Sequence, residues 1–272
     1  MGDMNEEGSQ NELWKRVGAS AYLGFKTQGI VTLPEVLRAS GYQTFMSGKW
    51  HLGKAAENWP HARGFERSFA LIGGASEHFT GYRSWQKQGP ITLFVDNGQK
   101  VDKLPSDFYS TDTFTDHALR FIDAADPERP WFGYLAFTAP HWPIQAHEAD
   151  IAKYAETYAD GPAANRQRRF ERLKQLGLVP EIARLPQLDE SITPEAQQAK
   201  KETRDRWMRA YAAMIDRVDQ NLARVVKRLR DRGQFDNTLI LFLSDNGSDT
   251  VRGPLWGQVS NTPFRKFKVW VH

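Results

Sequence analysis

Apolar and polar positions along this chain follow two periods that take turns. The helical period is clearest from Glu195 to Arg230, where Met208, Tyr211, Ala212, Ile215, Val218, Leu222, Val225, Val226 and Leu229 recur at threes and fours. Gly233 supplies the stop. A shorter helix is predicted over Thr113 to Ala125, with Phe114, Ala118, Phe121, Ile122 and Ala125 on one face. Thr32-Leu-Pro-Glu35 has the form of a capping box with Pro in the first turn, Leu33, Val36 and Leu37 give an apolar face, and Gly41 ends it. Two compact runs, Trp131 to Thr138 and Thr238 to Leu243, read as buried strands, and Gln43 to Met46 as a short strand ending in Ser47-Gly48. Residues 61 to 110 read as irregular, residues 144 to 192 as surface helices, and the chain beyond Gly247 as loop. Alternating strands and helices predict an α/β layered fold.

Composition narrows the class without changing that picture. The 272 residues suit one large α/β domain or two small ones, and 12% aromatic residues allow a substantial core. Thirty-six Lys and Arg against 33 Asp and Glu leave a nearly balanced net charge of +3, which says nothing about partners, although a nucleic-acid binder more often shows one concentrated basic face. No run of about 18 apolar residues predicts a membrane span, and the N-terminal residues are polar and acidic, unlike a signal peptide. A cytoplasmic location is the default expectation. No cysteine occurs, which excludes disulfides, thiolate metal sites and a Cys nucleophile within these residues.

Three short clusters follow predicted strands, where open α/β sheets build their sites. In Gly48-Lys49-Trp50-His51-Leu52-Gly53, Lys49 and His51 suit an anion, a fixed charge beside a hydrogen-bonding imidazole. The same residues also suit a glycine turn with a surface Lys and a His packed by Trp50. In Ala139-Pro140-His141-Trp142-Pro143, two prolines fix the backbone around His141, either to orient its ring or only to end the strand. In Ser244-Asp245-Asn246-Gly247, a carboxylate and a carboxamide offer hard oxygen ligands for a cation such as Ca²⁺, and Asp-Asn-Gly is equally a turn sequence.

Taken together, strand–SGKWHLG, strand–TAPHWP and strand–SDNG in this order resemble the type I sulfatases of the alkaline-phosphatase-like superfamily, most closely the bacterial-type arylsulfatases. The segments TLPEVLRASGYQT, WPHARGFERSFALIGG, YAAMIDRVDQNLARVVKRL and VSNTPFRKFKVWVH agree with that resemblance. It covers nearly all of residues 25 to 272, after a polar segment at 1 to 24. It implies an α/β fold with a mixed, mostly parallel sheet flanked by helices, incomplete at both ends, and hydrolysis of small-molecule sulfate esters with a bound Ca²⁺. It assigns Asp245 and Asn246 to the metal, and Lys49 and His141 to the sulfate and the leaving group. His51 would support the family's formylglycine nucleophile, and Lys268 would be a second sulfate-binding lysine.

The sequence departs from the family pattern in two motifs. It holds no Asp-Asp pair and no Cys- or Ser-x-Pro-Ser-Arg, the sources of the remaining metal ligands and of the nucleophile. The expectation is therefore a partial catalytic domain that turns over no sulfate ester by itself and whose exposed sheet edges favour aggregation. Two other readings stand beside it: a non-catalytic anion-binding protein using the same cationic residues, and a phosphonate monoester hydrolase, which shares the motif set. His78 in GGASEHF is a candidate pocket residue. His117 reads as packed or surface, the Arg run at 166 to 172 as a solvated helix face, and His61, Arg63 and His147 carry no assigned role. Substrate identity and oligomeric state are not encoded in any motif.

Overall fold

The computed structural model describes residues 30–82, 91–189, 201–248 and 254–267. The segment 1 to 24, the first turns of the predicted helix at 195 to 200, and Lys268 lie outside the described residues. The chain forms two compact units. One takes residues up to Gln145 together with Arg217–Phe235, and the other takes Ala146–Asp216 and the residues from Asp236 onward.

The first unit opens with the capping box. The Thr32 hydroxyl accepts from the Glu35 backbone N–H, and the Glu35 carboxylate accepts from the Thr32 N–H at 2.7 Å, fixing the start of α1 (Leu33–Ala39). Pro34 is buried, but Leu33 and Val36 are exposed, because no described element covers that flank of the helix. The chain then enters β1 (Gln43–Lys49), which runs three residues beyond its predicted end, so Lys49 closes the strand and is not part of the following loop. The stretch expected to be irregular contains β2 (Arg67–Leu71), β3 (Phe94–Asp96) and β4 (Gln99–Lys100). Asn97-Gly98, with φ of 47° and 82°, is the two-residue turn between β3 and β4, a hairpin signal in plain view. With β5 (Trp131–Ala136) the sheet has the order β4-β3-β2-β1-β5. β1 pairs in parallel with both β2 and β5, while β2–β3 and β3–β4 are antiparallel, the mixed sheet that was expected.

Strand residues alternate between two apolar faces. Phe45, Phe69 and Leu71 pack on Phe114, Phe121 and Ile122 of α2 (Ser110–Asp123) and on Leu229 of α5 (Lys201–Asp231). The Phe45 ring lies 5.9 Å from Phe121 and 5.3 Å from Trp131. Met46, Ala70 and Ile72 face the other way, against Trp50, Trp59 and Phe65. Each buried Phe, Leu, Ile or Met among them contributes ~1.5–3 kcal/mol by leaving water. Because β2 is buried on both faces, it carries no alternation to betray it. The helix α2 begins three residues earlier than predicted. Its His117 is a packed residue, stacked on Phe69 at 3.7 Å, where burial and then the Arg120 charge push its pKa down to about 3.

Two predicted buried strands are not buried. β5 ends at Ala136 and is half-open, with Gly133 and Tyr134 exposed, since it is the edge of the described sheet. The run Thr238 to Leu243 joins no ladder, and Leu239 to Leu243 are between 47% and 84% exposed. An apolar run becomes a buried strand only where a neighbour completes its hydrogen bonds and covers it. β1 does so on one side of β5 only, and no described strand does so for the 238–243 run.

The second unit holds α3 (Glu148–Ala152), α4 (Gly161–Gln175), the first half of α5, and α6 (Pro254–Ser260) in a stretch read as loop. Met208, Trp256 and Val259 form its core with Tyr158 and Tyr211. The Arg run is a solvated face except at its first member. Arg166 is only 2% exposed and donates to the carbonyls of Pro186 and Phe264. Helical phase explains this: Phe170, four residues on, is buried on the same face.

Candidate active site

The parallel register of the first unit decides which motif loops become neighbours. Gly48 pairs with Ala136 across β1 and β5, and Lys49 pairs with Leu71 across β1 and β2. The loops carrying His51 and His141 therefore leave the carboxyl ends of adjacent strands, the position from which α/β sheets build sites.

The loop after β1 is held by its aromatics and its backbone. Trp50 N–H donates to the Leu71 carbonyl at 2.8 Å, and His51 N–H to the Ile72 carbonyl at 3.1 Å, extending the ladder past the strand. The Trp50 indole donates to the Asn58 carbonyl and the Trp59 indole to the Lys54 carbonyl, at 2.7 and 2.8 Å. His51 itself adopts a left-handed backbone, φ 56°, uncommon for a residue with a Cβ. Its ring lies against Gly74, where an added Cβ would come within 2.6 Å of His51 Cε1. Gly74 is thus the seat of the His51 imidazole.

The loop after β5 is held from beneath. His141 Nδ1 lies 2.7 Å from the Trp142 carbonyl oxygen, which only accepts, so Nδ1 carries a proton and Nε2 is the nitrogen whose proton is exchangeable. His141 N–H donates to the Thr138 carbonyl at 2.8 Å. His78 is 1% exposed and enclosed rather than open to a pocket. Its Nε2 lies 3.1 Å from the His141 carbonyl oxygen and its Nδ1 2.7 Å from Ser110 Oγ. Ser110 Oγ also accepts from Thr138 Oγ1 at 3.3 Å. Further along, the Gln145 side chain accepts from His78 N–H at 2.8 Å, and its carbonyl accepts from the Tyr109 hydroxyl at 3.1 Å. Burial pushes the His78 pKa down to about 4, against the His141 carbonyl, which raises it, and with the His141 charge, which lowers it further. Ser110, Thr138, Tyr109 and Gln145 went unnoticed in the sequence. They lie up to 67 residues from His78, and no spacing rule reaches that far.

Asp245 and Asn246 belong to the other unit, in an exposed turn, with the Asn246 amide donating to the Asp245 carboxylate at 3.0 Å. Among the described residues no three His, Cys, Asp or Glu side chains come together as a metal group. One carboxylate and one carboxamide fall short of the six to eight oxygens that Ca²⁺ takes, so the described ligand set does not fit the ion.

The family model described as Sulfatase matches residues 4–269. An uncharacterized sulfatase of Schizosaccharomyces pombe is 37% identical over 241 residues, covering 85% of this chain and 43% of that protein. An arylsulfatase of Klebsiella aerogenes is 33% identical over 277 residues, covering 96% of this chain and 59% of the relative. The chain thus spans about half the length of the curated relatives it matches. Among solved structures, Ps i-CgsB bound to k-i-k-neocarrahexaose superposes with a TM-score of 0.54 at 25% identity, over 86% of this chain and 44% of that one.

Proposed function

Because the chain belongs to the sulfatase family, we propose that the loops following β1 and β5 bind the sulfate group of a small sulfate ester and assist its hydrolysis. The observation that carries this reading is the Gly48–Ala136 register, which makes the strand end at Lys49 and the loop of His51 neighbours of the loop bearing His141. A sulfate spreads its negative charge over several oxygens, and fixed cations around it act as preorganised electrostatic stabilisation. Lys49, at the end of a strand, supplies a positive charge on a rigid element. His51, seated on Gly74, supplies a hydrogen-bonding imidazole beside it.

When the bond from sulfur to the alcohol oxygen breaks, the departing oxygen gains negative charge and needs a proton. His141 suits that role. Its Nδ1–H stays on the Trp142 carbonyl in both protonation states, so the proton on Nε2 is the one given up. Lys268 is proposed as a second sulfate-binding cation. Asp245 and Asn246 are proposed as two members of a divalent-cation site whose other ligands are not among the described residues. The sequence has no cysteine and no Ser-x-Pro-Ser-Arg. The proposal therefore assigns these residues to charge neutralisation and leaving-group protonation, and expects no turnover from the 272 residues alone. The arylsulfatase relative favours an aryl ester as the probe.

Calorimetry with p-nitrophenyl sulfate tests the reading. Saturable binding that is lost in Lys49→Ala supports it, and no heat at millimolar ester sinks it. Release of p-nitrophenol that disappears in His141→Ala would overturn the expectation of no turnover.

A further inference from the structure

We infer that His78 is a positioning residue: as a neutral imidazole protonated at Nε2, it holds the backbone of His141 and so fixes where the His141 ring is presented. The geometry of the hydrogen bonds gives the tautomer. The His141 carbonyl oxygen, 3.1 Å from His78 Nε2, can only accept, so Nε2 bears the hydrogen. In a neutral ring Nδ1 is then an acceptor, and the group 2.7 Å from it, the Ser110 hydroxyl, is its donor. Ser110 Oγ in turn accepts from the Thr138 hydroxyl at 3.3 Å. Every donor in the series Thr138, Ser110, His78, His141 therefore points the same way.

Both ends of that series lie in one short loop. Thr138 lies two residues past the end of β5, His141 three residues further on, and Gln145 is tied to His78 N–H and the Tyr109 hydroxyl. His78, Ser110 and Tyr109 are themselves enclosed at 1%, 0% and 1% exposure. The loop that carries His141 is thus fastened to a buried polar support that comes from two distant parts of the sequence. A buried polar network specifies one conformation only when every member is satisfied. A second proton on His78 would aim Nδ1–H at a hydroxyl that already faces it with its own hydrogen, forcing Ser110 to turn away. The low pKa of the ring agrees with that geometry.

That the clamp serves chemistry rests on the proposed role of His141, so the tests are kept apart. In protein labelled with ¹⁵N at histidine, long-range ¹H–¹⁵N spectra at neutral pH should show His78 protonated at Nε2 alone. A ring protonated at Nδ1, or at both nitrogens, overturns the inference without any variant being made. In His78→Leu, the fixed Nδ1–H tautomer of His141 should give way to averaged nitrogen shifts. His78→Gln, whose amide N–H reaches toward the same carbonyl, should restore it. A His141 tautomer indifferent to both substitutions overturns the inference. If the clamp holds but the protein gives no saturable binding of p-nitrophenyl sulfate, the functional reading falls and the positioning of His141 stands.

Discussion

The α-carbon of Gly48 faces the backbone of Ala136 so closely that a Cβ would lie 2.0 Å from the Ala136 carbonyl oxygen and 2.6 Å from its carbon. With φ at 126°, Gly48 also occupies a backbone region that other residues avoid. Both features serve one end: they let β1 and β5 run side by side to the point where their site loops depart. Gly48→Ala should therefore destabilise the protein by roughly 2–5 kcal/mol, overpacking and backbone strain together. Urea unfolding measures this. A change below ~0.5 kcal/mol would mean that the two strands do not meet as closely as the register requires.

Gly74 poses the opposite case, a tight contact with a side chain that can move. An added methyl meets His51 Cε1 at 2.6 Å and Nε2 at 2.8 Å, and the imidazole can swing aside where a backbone cannot. Gly74→Ala should change stability by less than ~1 kcal/mol, while displacing the His51 ring resonances and weakening sulfate-ester binding. Unaltered His51 signals would remove Gly74 as the seat of that ring.

Two buried histidines should make the protein acid-labile. Desolvation is the first cause in both, holding His78 near 4 and His117 near 3 against an ordinary value of 6.5. The sign follows from proton counts. Between those values the unfolded chain binds a proton that the folded ring refuses, so stability is full above 6.5 and falls as pH drops toward the folded values. Each ring contributes a slope of ~1.4 kcal/mol per pH unit across that window. His117→Leu keeps a packed side chain against Phe69 and removes one titration. Its unfolding free energy should therefore fall less steeply between pH 6 and pH 5 than that of the wild type. Parallel slopes would show that His117 is charged, or free to charge, in the folded state.

Local signals were legible wherever the residues that make them are close in sequence. The Thr32–Glu35 box, the phase of α5 and its end at Gly233, with φ 65°, need no partner to be read. So were the loops of His51 and His141, because each follows its strand closely, whereas the turn at Asp245 follows a run that forms no described strand. What escaped notice depends on distant residues. β2 is apolar on both faces and has no period to find. The support under His141 joins residue 78 to residues 110, 138 and 145, which nothing in their spacing links. Arg166 reads as solvent-facing because its neighbours are charged, whereas its burial is set by Phe170 one turn on.

The run Leu239 to Leu243 separates sequence pattern from structural context most sharply. By composition it is a core strand, and as described it joins no ladder and its side chains are exposed. The two readings give different energies for one substitution. In a buried strand, Phe242→Ser would remove ~3–5 kcal/mol of packing. At 74% exposure Phe242 makes little use of the core, and the same change should lie within about ±0.5 kcal/mol. An exposed stretch of apolar residues without a ladder also invites pairing between chains, so Phe242→Ser should raise the concentration at which the protein stays monomeric. Urea unfolding and sedimentation on the same variant test both statements. A multi-kilocalorie loss would show that this segment is a packed strand in solution and that the sequence pattern was the better guide there.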